Sequence, residues 1–527
     1  MRELPLIFLA ALCLSACAPS VDRKTVKAAL ENGKQAREAF ERSDRYVRGW
    51  LQHADPESGL IPRNLTTGKD FWNGKDAAAD NYPFMVLTTY FTDESLFQGR
   101  MKEMLAAETR LTARLDRLPD AYSFSTKTWT REKFDLDATI FDGAEYVKDG
   151  LIPITEMIGP SEWSVRMLGI VEDIWKNAPL ETPFGKIPTL NQEVNGDLLQ
   201  ACSRLYWFTG ERRYLDWAIR LGDYYLLGNQ HPTRIEQNLA LSDHACEIIN
   251  GLSELYIACA RGAPEKREAY RAPLHEMYDR ILEIARNEHG LFYNLVNTKT
   301  GVHTEKCTDN WGYNFDGIYS TFLEDKTPAY REAVLKVLSN LNAHYRGYPW
   351  QGGGMDGYAD SIEGAITLIN HEFDASAAEW IDSEILCLWR KQHSSGIIEG
   401  WHADGNFART SLMYAFWKTQ GTFIRPWNKD VFFGAVRDGR DVIISIKAKA
   451  PWKGRLCFDR PRHREHMHLP MDYPRINQFP EWFTVESNAL YRVARGWHTE
   501  KMTGAELRNG IQLALDKEQT ATIRVTP

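Results

Sequence analysis

The sequence predicts a mainly α fold, an (α/α)6 or (α/α)7 toroid with a small C-terminal β-sandwich. Between about residues 23 and 425, a polar start rich in Asp, Asn and Gly is followed again and again by an apolar helix, a short break and an amphipathic helix. After Arg425-Pro426, short β-branched runs separated by Pro and Gly replace this pattern. We therefore expect three parts, which are a leader at 1–17, a toroid at 23–425 and a β-sandwich at 426–527.

The repeated unit indicates helical hairpins arranged in two concentric rings. A helix that is apolar all round must be buried, whereas an amphipathic helix buries only one stripe. Alternation of the two kinds predicts an inner and an outer ring. The inner helices would then begin at one mouth, where their amide groups and positive dipole ends converge. The units begin near Asp80, Asp142, Asn195, Ser242, Tyr313, Asp360 and Asp404.

The first residues are typical of an exported protein. Arg2 precedes a short apolar run from Leu6 to Leu14, and Leu14-Ser-Ala-Cys17 ends it. A spanning helix needs about 20 apolar residues, so the run indicates an export signal. The Leu-Ser-Ala-Cys run resembles the lipobox of bacterial lipoproteins, which implies lipidation of Cys17. We expect a location in the bacterial cell envelope, anchored to a membrane in the periplasm or at the outer-membrane surface; an ordinary secretory signal is the alternative.

The composition limits the classes of molecule that the protein is expected to bind. The chain carries a net charge of −8 and no long Lys/Arg tract, which argues against a nucleic-acid partner. Its 17 Trp and 22 Tyr suit stacking on sugar faces as well as packing a core. There is no Cys-x-x-Cys pair, and the loop with His463, His466 and His468 lacks a convincing ligand set. No metal site and no cofactor is predicted.

Three stretches resemble bacterial α/α-toroid glycan-degrading enzymes. They are Trp72 to Tyr82, Asp356 to Gly364, and Glu379 to Glu384. The resemblance covers most of the chain after Cys17. Among these enzymes, the chain most resembles lipoproteins of polysaccharide-utilisation systems, including exo-acting β-glucuronidases. The resemblance implies a glycan substrate, here an acidic polysaccharide or oligosaccharide that contains uronic acid.

Glycoside hydrolysis needs one carboxylic acid and one carboxylate, and the predicted mouth contains several. We expect the catalytic residues among those at or near inner-helix starts, and Asp360 and Glu363 share one helical face. The catalytic candidates are Glu193, Asp243, Asp360, Glu363 and His402. A guanidinium matches a sugar carboxylate bidentately, which favours Arg409 for substrate binding. The full set of candidates for substrate binding is Trp72, Asp80, Asn81, Tyr82, His244, Trp311, Tyr313, Asn314 and Arg409. Lys75 and Trp401 are further rim residues.

Two other functions fit the same residues. A polysaccharide lyase would remove a proton beside a uronic carboxylate with Tyr or His, using His244, Tyr313 or His402. A non-catalytic glycan-binding lipoprotein would need the aromatic residues but not the acids. The excess of acids at one mouth favours the hydrolase.

Overall fold

The computed structural model describes residues 22–242 and 245–527. The α-helices are α1 Arg23–Leu51, α2 Tyr82–Thr92, α3 Glu94–Leu96, α4 Lys102–Thr112, α5 Leu136–Glu145, α6 Ile152–Ile158, α7 Glu162–Lys176, α8 Gln192–Thr209, α9 Arg212–Gly222, α10 Ala245–Gly262, α11 Pro264–Ile284, α12 Trp311–Asp325, α13 Pro328–His344, α14 Met355–His371, α15 Ala375–Trp389, α16 Asn406–Thr419, α17 Arg462–Glu465 and α18 Gly504–Asn509. Four π-helical segments, Gly74–Asn81, Phe97–Met101, Tyr146–Leu151 and Asp223–Leu227, and one 3₁₀ turn, Trp350–Gly353, complete the helical part that the structure describes.

The strands are short in the first part of the chain and longer at its end. They are β1 Phe71–Trp72, β2 Ala113–Leu115, β3 Leu118–Pro119, β4 Tyr122–Ser123, β5 Thr128–Trp129, β6 Leu180–Thr182, β7 Gly185–Ile187, β8 Asn238–Ala240, β9 Leu295–Asn297, β10 Phe423–Arg425, β11 Val431–Asp438, β12 Asp441–Ala448, β13 Trp452–Cys457, β14 Leu490–Arg495, β15 His498–Thr503, β16 Ile511–Leu515 and β17 Thr520–Thr526.

The helices form an α/α toroid. The inner helices contact one another in the order α8, α10, α12, α14, α16 and α2, and the π-helical segments beside α2 and α6 contact each other. Contact between α5 and α8 closes this ring. The outer helices cover it; α1, for example, packs on α16 and α2.

Burial separates the two kinds of helix as the sequence pattern predicts. Every residue of α16 is buried, from Asn406 to Thr419. The outer helix α9 buries one stripe, which includes Tyr214, Leu215 and Ala218. A helix that is buried all round belongs in the inner ring, and a one-stripe helix belongs outside it.

Two glycines allow the close helix contacts that shape one mouth of the ring. A Cβ on Gly312 would lie 2.3 Å from the Cα of Gly364, so α12 and α14 touch backbone to backbone there. A Cβ on Gly405 would lie 2.0 Å from the carbonyl oxygen of Asp80. Only residues without a side chain allow these approaches. They bring Tyr313 beside α14, and the start of α16 beside Asp80.

The end of the chain forms two antiparallel sheets. One has the strand order β10-β13-β16, and the other has the order β11-β12-β17-β14-β15. Helix α1 packs against β11 and β12 of the five-stranded sheet. Because β10 covers Phe423–Arg425, the sheet region begins before the expected boundary at residue 426.

A loop from this sheet region enters the ring. The Tyr473 hydroxyl donates to Glu254 Oε2 at 3.2 Å, and Arg475 Nη2 donates to Glu156 Oε1 at 2.6 Å. Asn477 donates to Asp149. We call residues 472–478 the plug loop, because it fills the ring centre with polar groups bonded to inner helices. Among the described residues, no helix is both long enough and apolar enough to span a membrane.

Candidate active site in the acidic mouth of the ring

A cleft of about 460 Å³ opens where the inner helices begin. It lies where the sequence pattern placed the mouth of the ring. Its described walls contain eight carboxylate residues against three Lys or Arg residues. The walls therefore favour proton transfer over the binding of anions. The lining residues are Lys75, Asp76, Asp80, Phe141, Glu145, Lys148, Asp149, Glu193, Glu247, Asn310, Tyr313, Gln351, Asp356, Asp360, Trp401, His402, Asn406, Arg409, Ile476 and Asn477.

Asp80 and Asp149 lie on two π-helical segments. Asp80 belongs to Gly74–Asn81, as does Asp76, and Asp149 belongs to Tyr146–Leu151. Each segment runs into a helix with proline in its first turn, Pro83 in α2 and Pro153 in α6. Proline has no N–H, so the regular i→i−4 bond is missing there, and π turns are frequent at functional sites. The two segments contact each other, which places both acids in one cleft.

Asp80 lies beside His402. The His402 Nε2 atom is 3.7 Å from Asp80 Oδ2. Burial raises the pKa of Asp80 to about 7, although the charge of His402 acts against the rise. Burial lowers the pKa of His402, but the charges of Asp80, Asp404 and Asp76 outweigh it and raise that pKa to about 9. At neutral pH, His402 is a cation, and Asp80 exchanges its proton readily.

Asp149 has the opposite environment. Burial alone would raise its pKa, but the neighbouring Lys148 outweighs burial and holds the pKa of Asp149 below its usual value. Lys148 Nζ lies 2.6 Å from Asp149 Oδ1 and 2.7 Å from Glu247 Oε1. The Asn477 side chain of the plug loop donates to the same Asp149 oxygen. Asp149 is therefore held as an oriented carboxylate.

A third group of side chains crosses between α12, α14 and α16. The Tyr313 hydroxyl donates to Asp360 Oδ1 at 3.1 Å and to Glu363 Oε2 at 2.8 Å. Arg409 Nε donates to Glu363 Oε1 at 2.8 Å, and Arg409 Nη2 lies 3.4 Å from Asp360 Oδ1. Burial raises the pKa of Asp360 and of Tyr313 well above their usual values. Arg409 thus binds carboxylates of the protein, where the sequence analysis expected a sugar carboxylate.

The predicted site residues fall into four groups: those that line the cleft, one buried behind it, those outside the described residues, and five that are buried elsewhere in the fold. Glu193, Asp360, His402, Asp80, Tyr313 and Arg409 line the cleft. Glu363 is fully buried behind it and contacts Arg409 and Thr410. Asp243 and His244 lie outside the described residues, as does Cys17.

Five residues expected at the rim are buried in the protein instead. Trp72 packs edge-on against Tyr146, and Trp311 packs edge-on against Trp380. The other three use their polar groups inside the fold, as acceptor or donor to neighbouring elements. Asn81 accepts from the Tyr46 hydroxyl at 2.9 Å; Tyr82 donates to the Met101 carbonyl at 2.6 Å; Asn314 donates to the Leu241 carbonyl at 2.9 Å. The sequence does not distinguish an amphipathic side chain at a helix start that faces the cleft from one that packs between helices.

Several cleft residues were not among the sequence candidates. Glu145, Lys148 and Asp149 lie in the repeat that has the weakest pattern, and Asn477 comes from the C-terminal region. Pro153 could have marked Asp149 in the sequence, because a proline four residues later leaves the Asp149 carbonyl without its helical donor. No local signal marks Asn477, because only the folded plug loop brings it to the cleft.

Two groups of side chains have the spacing of metal ligands within the described residues. One is Asp76, Asp80 and His402 at the cleft, and the other is His463, Asp472 and Glu481. In the first group, Asp76 already accepts from Arg63 and from Asn73, each at 2.5 Å. In the second, His463 is bonded to Glu481 at 2.9 Å. These protein contacts already use Asp76 Oδ2 in the first group, and His463 Nδ1 with Glu481 Oε2 in the second.

No protein-family profile and no curated protein sequence matches the chain. Solved structures resemble it weakly. An α-1,6-mannanase of family 76 from Salegentibacter has 12% identity and a TM-score of 0.41, over 72% of this chain and 98% of that one. A cellobiose 2-epimerase from Spirochaeta thermophila has 15% identity and a TM-score of 0.38, over 62% and 87%. A family 76 mannosidase from Bacteroides thetaiotaomicron has 11% identity and a TM-score of 0.39, over 72% and 98%. At these TM-scores, the likeness assigns neither activity nor substrate to this chain.

Proposed function

We propose that the protein is a glycoside hydrolase in which Asp80 is the general acid and Asp149 is the base or nucleophile. The observation that carries this proposal is the pair itself. Two carboxyl groups on touching π-helical segments face one cleft, and their surroundings favour opposite protonation states. Such a difference in environment is how acid and base roles are divided between two carboxylates.

In this mechanism, Asp80 protonates the glycosidic oxygen as the bond to the sugar breaks. Its pKa of about 7 keeps a large protonated fraction near neutral pH. As that bond breaks, Asp149, fixed by Lys148 and Asn477, either attacks the anomeric carbon or takes a proton from a water molecule that attacks it. If Asp149 attacks, water then hydrolyses the glycosyl-enzyme with Asp80 as the base, which returns both carboxyl groups to their starting states. Tyr313, Asp360 and Arg409 supply hydrogen-bonding groups along the adjacent wall.

Neither Tyr313 nor His402, two bases of the lyase alternative that the structure describes, is deprotonated at neutral pH. Tyr313 has a pKa well above its usual value, so its hydroxyl holds its proton. His402 is protonated up to a pH of about 9 and cannot accept a proton at neutral pH. Arg409, which would neutralise a uronic carboxylate, is bonded to Glu363. His244, the third base of the lyase prediction, lies outside the described residues.

The charge of the cleft bears on the substrate. The β-glucuronidase-like prediction places a sugar carboxylate among the acids. Of the three Lys and Arg residues in the lining, Lys148 and Arg409 already bind protein carboxylates, and the cationic His402 lies beside Asp80. Protonation of Asp80 and Asp360 does not turn the cleft positive. Like charges in a partly buried site repel strongly. We therefore propose a neutral sugar at the bond that is cleaved.

The walls of the cleft continue into a longer groove. A second cavity shares Lys75, Phe141 and Trp401 with the cleft, and a third shares Thr130 and Arg131 with the second. An exposed tryptophan lies at each end, Trp401 over Arg63 and Trp129 over Arg114. A guanidinium on one ring face leaves the other face for a sugar. We propose that the groove binds an oligosaccharide or polysaccharide.

Three further proposals complete the assignment. We propose that the inner contacts form seven hairpins, that the two C-terminal sheets pack as a β-sandwich, and that lipidated Cys17 anchors the protein in the bacterial cell envelope. The helices of the ring and the two sheet orders support the first two. For the third, Cys17→Ser should move the expressed protein from the membrane fraction to the soluble fraction. Membrane retention of that variant would count against the anchor.

The function is tested by incubating the protein without residues 1–17 with neutral and uronic-acid-containing oligosaccharides of defined linkage. Reducing sugar and ultraviolet absorbance are followed together. Release of a saturated sugar from a neutral substrate, lost in Asp80→Asn and Asp149→Asn, is the expected result. An unsaturated product would establish the lyase, and binding without turnover on every glycan would establish the binding protein.

A further inference from the structure

Another cavity, separate from the groove, lies at the opposite end of the ring from the cleft, and we call it the basic cavity. It has a volume of about 310 Å³ and lies between the C-terminal ends of α2 and α6, the three-stranded sheet and the helices α17 and α18. Tyr90, Phe91, Phe423 and Phe458 form much of its apolar wall. This volume is within the range of small-molecule binding sites.

The rest of the wall is basic. Five arginines line the cavity, and Asp459 is the only acidic residue among the described lining residues. These arginines are Arg425, Arg455, Arg460, Arg462 and Arg508. Three of them are ion-paired, Arg425 with Glu94, Arg462 with Asp459 and Arg508 with Glu465. The positive charge that would attract an anion therefore comes mainly from Arg455 and Arg460.

The bonds of these arginines leave donors available. Arg462 is 2% exposed and bonds to Asp459 at 3.0 Å and to the Phe479 carbonyl at 2.7 Å, yet its Nη1 atom has no hydrogen-bond partner. A buried guanidinium donor without an acceptor is costly. Arg455 and Arg460 form no ion pair with a carboxylate anywhere in the part of the chain that the structure describes; Arg455 bonds to Asn509.

Helix ends do not account for these charges. Carbonyl groups at helix C-termini attract cations, so arginines there often cap helices. Arg462 and Arg508 instead bond within the C-terminal region, where Arg508 binds Glu465 at 2.6 Å and the Val485 carbonyl. Their side chains line the cavity on the side of α17 and α18.

We propose that this cavity binds an oxyanion, a carboxylate, sulfate or phosphate, carried on a sugar-sized ligand. Arg455 and Arg460 would bind the oxyanion, Arg462 would add positive charge to the wall, and the aromatic side chains would contact the ring that carries the oxyanion. A neighbouring cavity shares Tyr90, Phe91, Arg425 and Arg455, which gives room for a further sugar unit. The proposal is independent of the chemistry in the cleft.

His466 provides a reporter inside the cavity. Its Nδ1 atom bonds to the Glu156 carbonyl at 2.8 Å, and the ring is buried in the cavity wall. Burial lowers the pKa of His466, and the charges of Arg460 and Arg462 lower it further. An anion bound beside those arginines would raise it again.

The test measures binding of glucuronate, glucose 6-phosphate, inorganic sulfate and glucose by calorimetry to the protein without residues 1–17. We expect the two sugar anions to bind and glucose not to bind. The double variant Arg455→Gln/Arg460→Gln should weaken anion binding by about tenfold. Arg492→Gln, an exposed position in the same sheet region, is the control and should bind as the wild type does.

Thermal melting confirms that each variant is folded, and NMR titration of His466 gives the second measurement. A rise in the pKa of His466 with glucuronate supports the site. Equal binding of glucose and the anions, unchanged binding in the double variant, or an unchanged His466 pKa would each overturn the proposal. Sulfate binding as tightly as the sugar anions would overturn the part that concerns a sugar-sized ligand.

Discussion

At the two ends of the ring, the same helices line sites of opposite charge. Helix α16 contributes Arg409 near its start to the acidic cleft and Phe416 near its end to the basic cavity. These residues are seven positions apart, which is about 10 Å along a helix. In the cleft, Lys148 and Arg409 are bound to protein carboxylates, whereas in the cavity Arg455 and Arg460 form no ion pair with a carboxylate of the described residues.

The difference teaches that net charge says little about where a charged ligand binds. The chain carries −8 overall, yet its basic cavity is the place suited to an anion. An acidic glycan would then be held through an acidic group at one end of the ring, while cleavage of a neutral linkage occurs at the other. Variants at the two ends should separate these activities.

The largest effect is expected from Asp149→Asn. Loss of an oriented carboxylate should lower kcat/KM on a neutral oligosaccharide by about 10²–10⁴-fold. Asp216→Asn, on an exposed outer helix, is the matched control. Arg455→Gln/Arg460→Gln should leave the same kcat/KM within about twofold, because those residues lie at the other end of the ring. Equal losses in Asp149→Asn and the arginine variant would break the comparison.

His402→Gln should change the pH profile of the cleft. A general acid works while it is protonated, so activity should decline as pH rises through the Asp80 pKa of about 7. The positive charge of His402 lowers that pKa, so its removal should raise it and move the alkaline limb of kcat/KM to higher pH. A limb that stays in place, or moves to lower pH, would show that Asp80 is not the acid. The profile of Arg455→Gln/Arg460→Gln should match that of the wild type.

Asn477 separates the role of a side chain from that of the backbone. Its φ of 62° lies in the left-handed region, and its amide donates to Asp149. Asn477→Gly and Asn477→Ala both remove the amide and should lower kcat by about tenfold, with little change in KM. Both variants lose the bond to Asp149, but Asn477→Ala should lower the unfolding free energy by about 1 kcal/mol more than Asn477→Gly, because Gly tolerates this φ. Unchanged kcat in both variants would show that the Asn477 side chain of the plug loop does not contribute to catalysis.

The smallest effect concerns the length of the groove. Trp129→Ala should raise KM several-fold for long oligosaccharides and leave the shortest substrate unaffected, since Trp129 lies in the cavity farthest from the acids. Trp401→Ala should raise KM for both. A disaccharide that responds to Trp129→Ala would contradict this order of binding sites.

Much of the ring could be predicted from sequence, because burial on all sides and burial on one stripe leave different periodicities. That contrast is visible in α16 and α9. The site was less predictable, since Asp80 and Asn81 are neighbours with similar polarity, yet one faces the cleft and the other bonds to Tyr46. A π turn changes the direction of each side chain, and apolar periodicity does not record it. The basic cavity was hidden because its arginines are spread from Arg425 to Arg508.

The plug loop has a consequence for the timing of activity during synthesis. A ribosome makes the ring helices first, and residues 472–478 emerge only after nearly nine-tenths of the chain. Until then, Asp149 lacks its Asn477 donor, and Glu156 and Glu254 lack the Arg475 and Tyr473 side chains that bond to them. The ring of an unfinished chain would therefore lack the contacts that orient these carboxylates. The proposed site is complete only after the C-terminal region has been made and has folded into the ring.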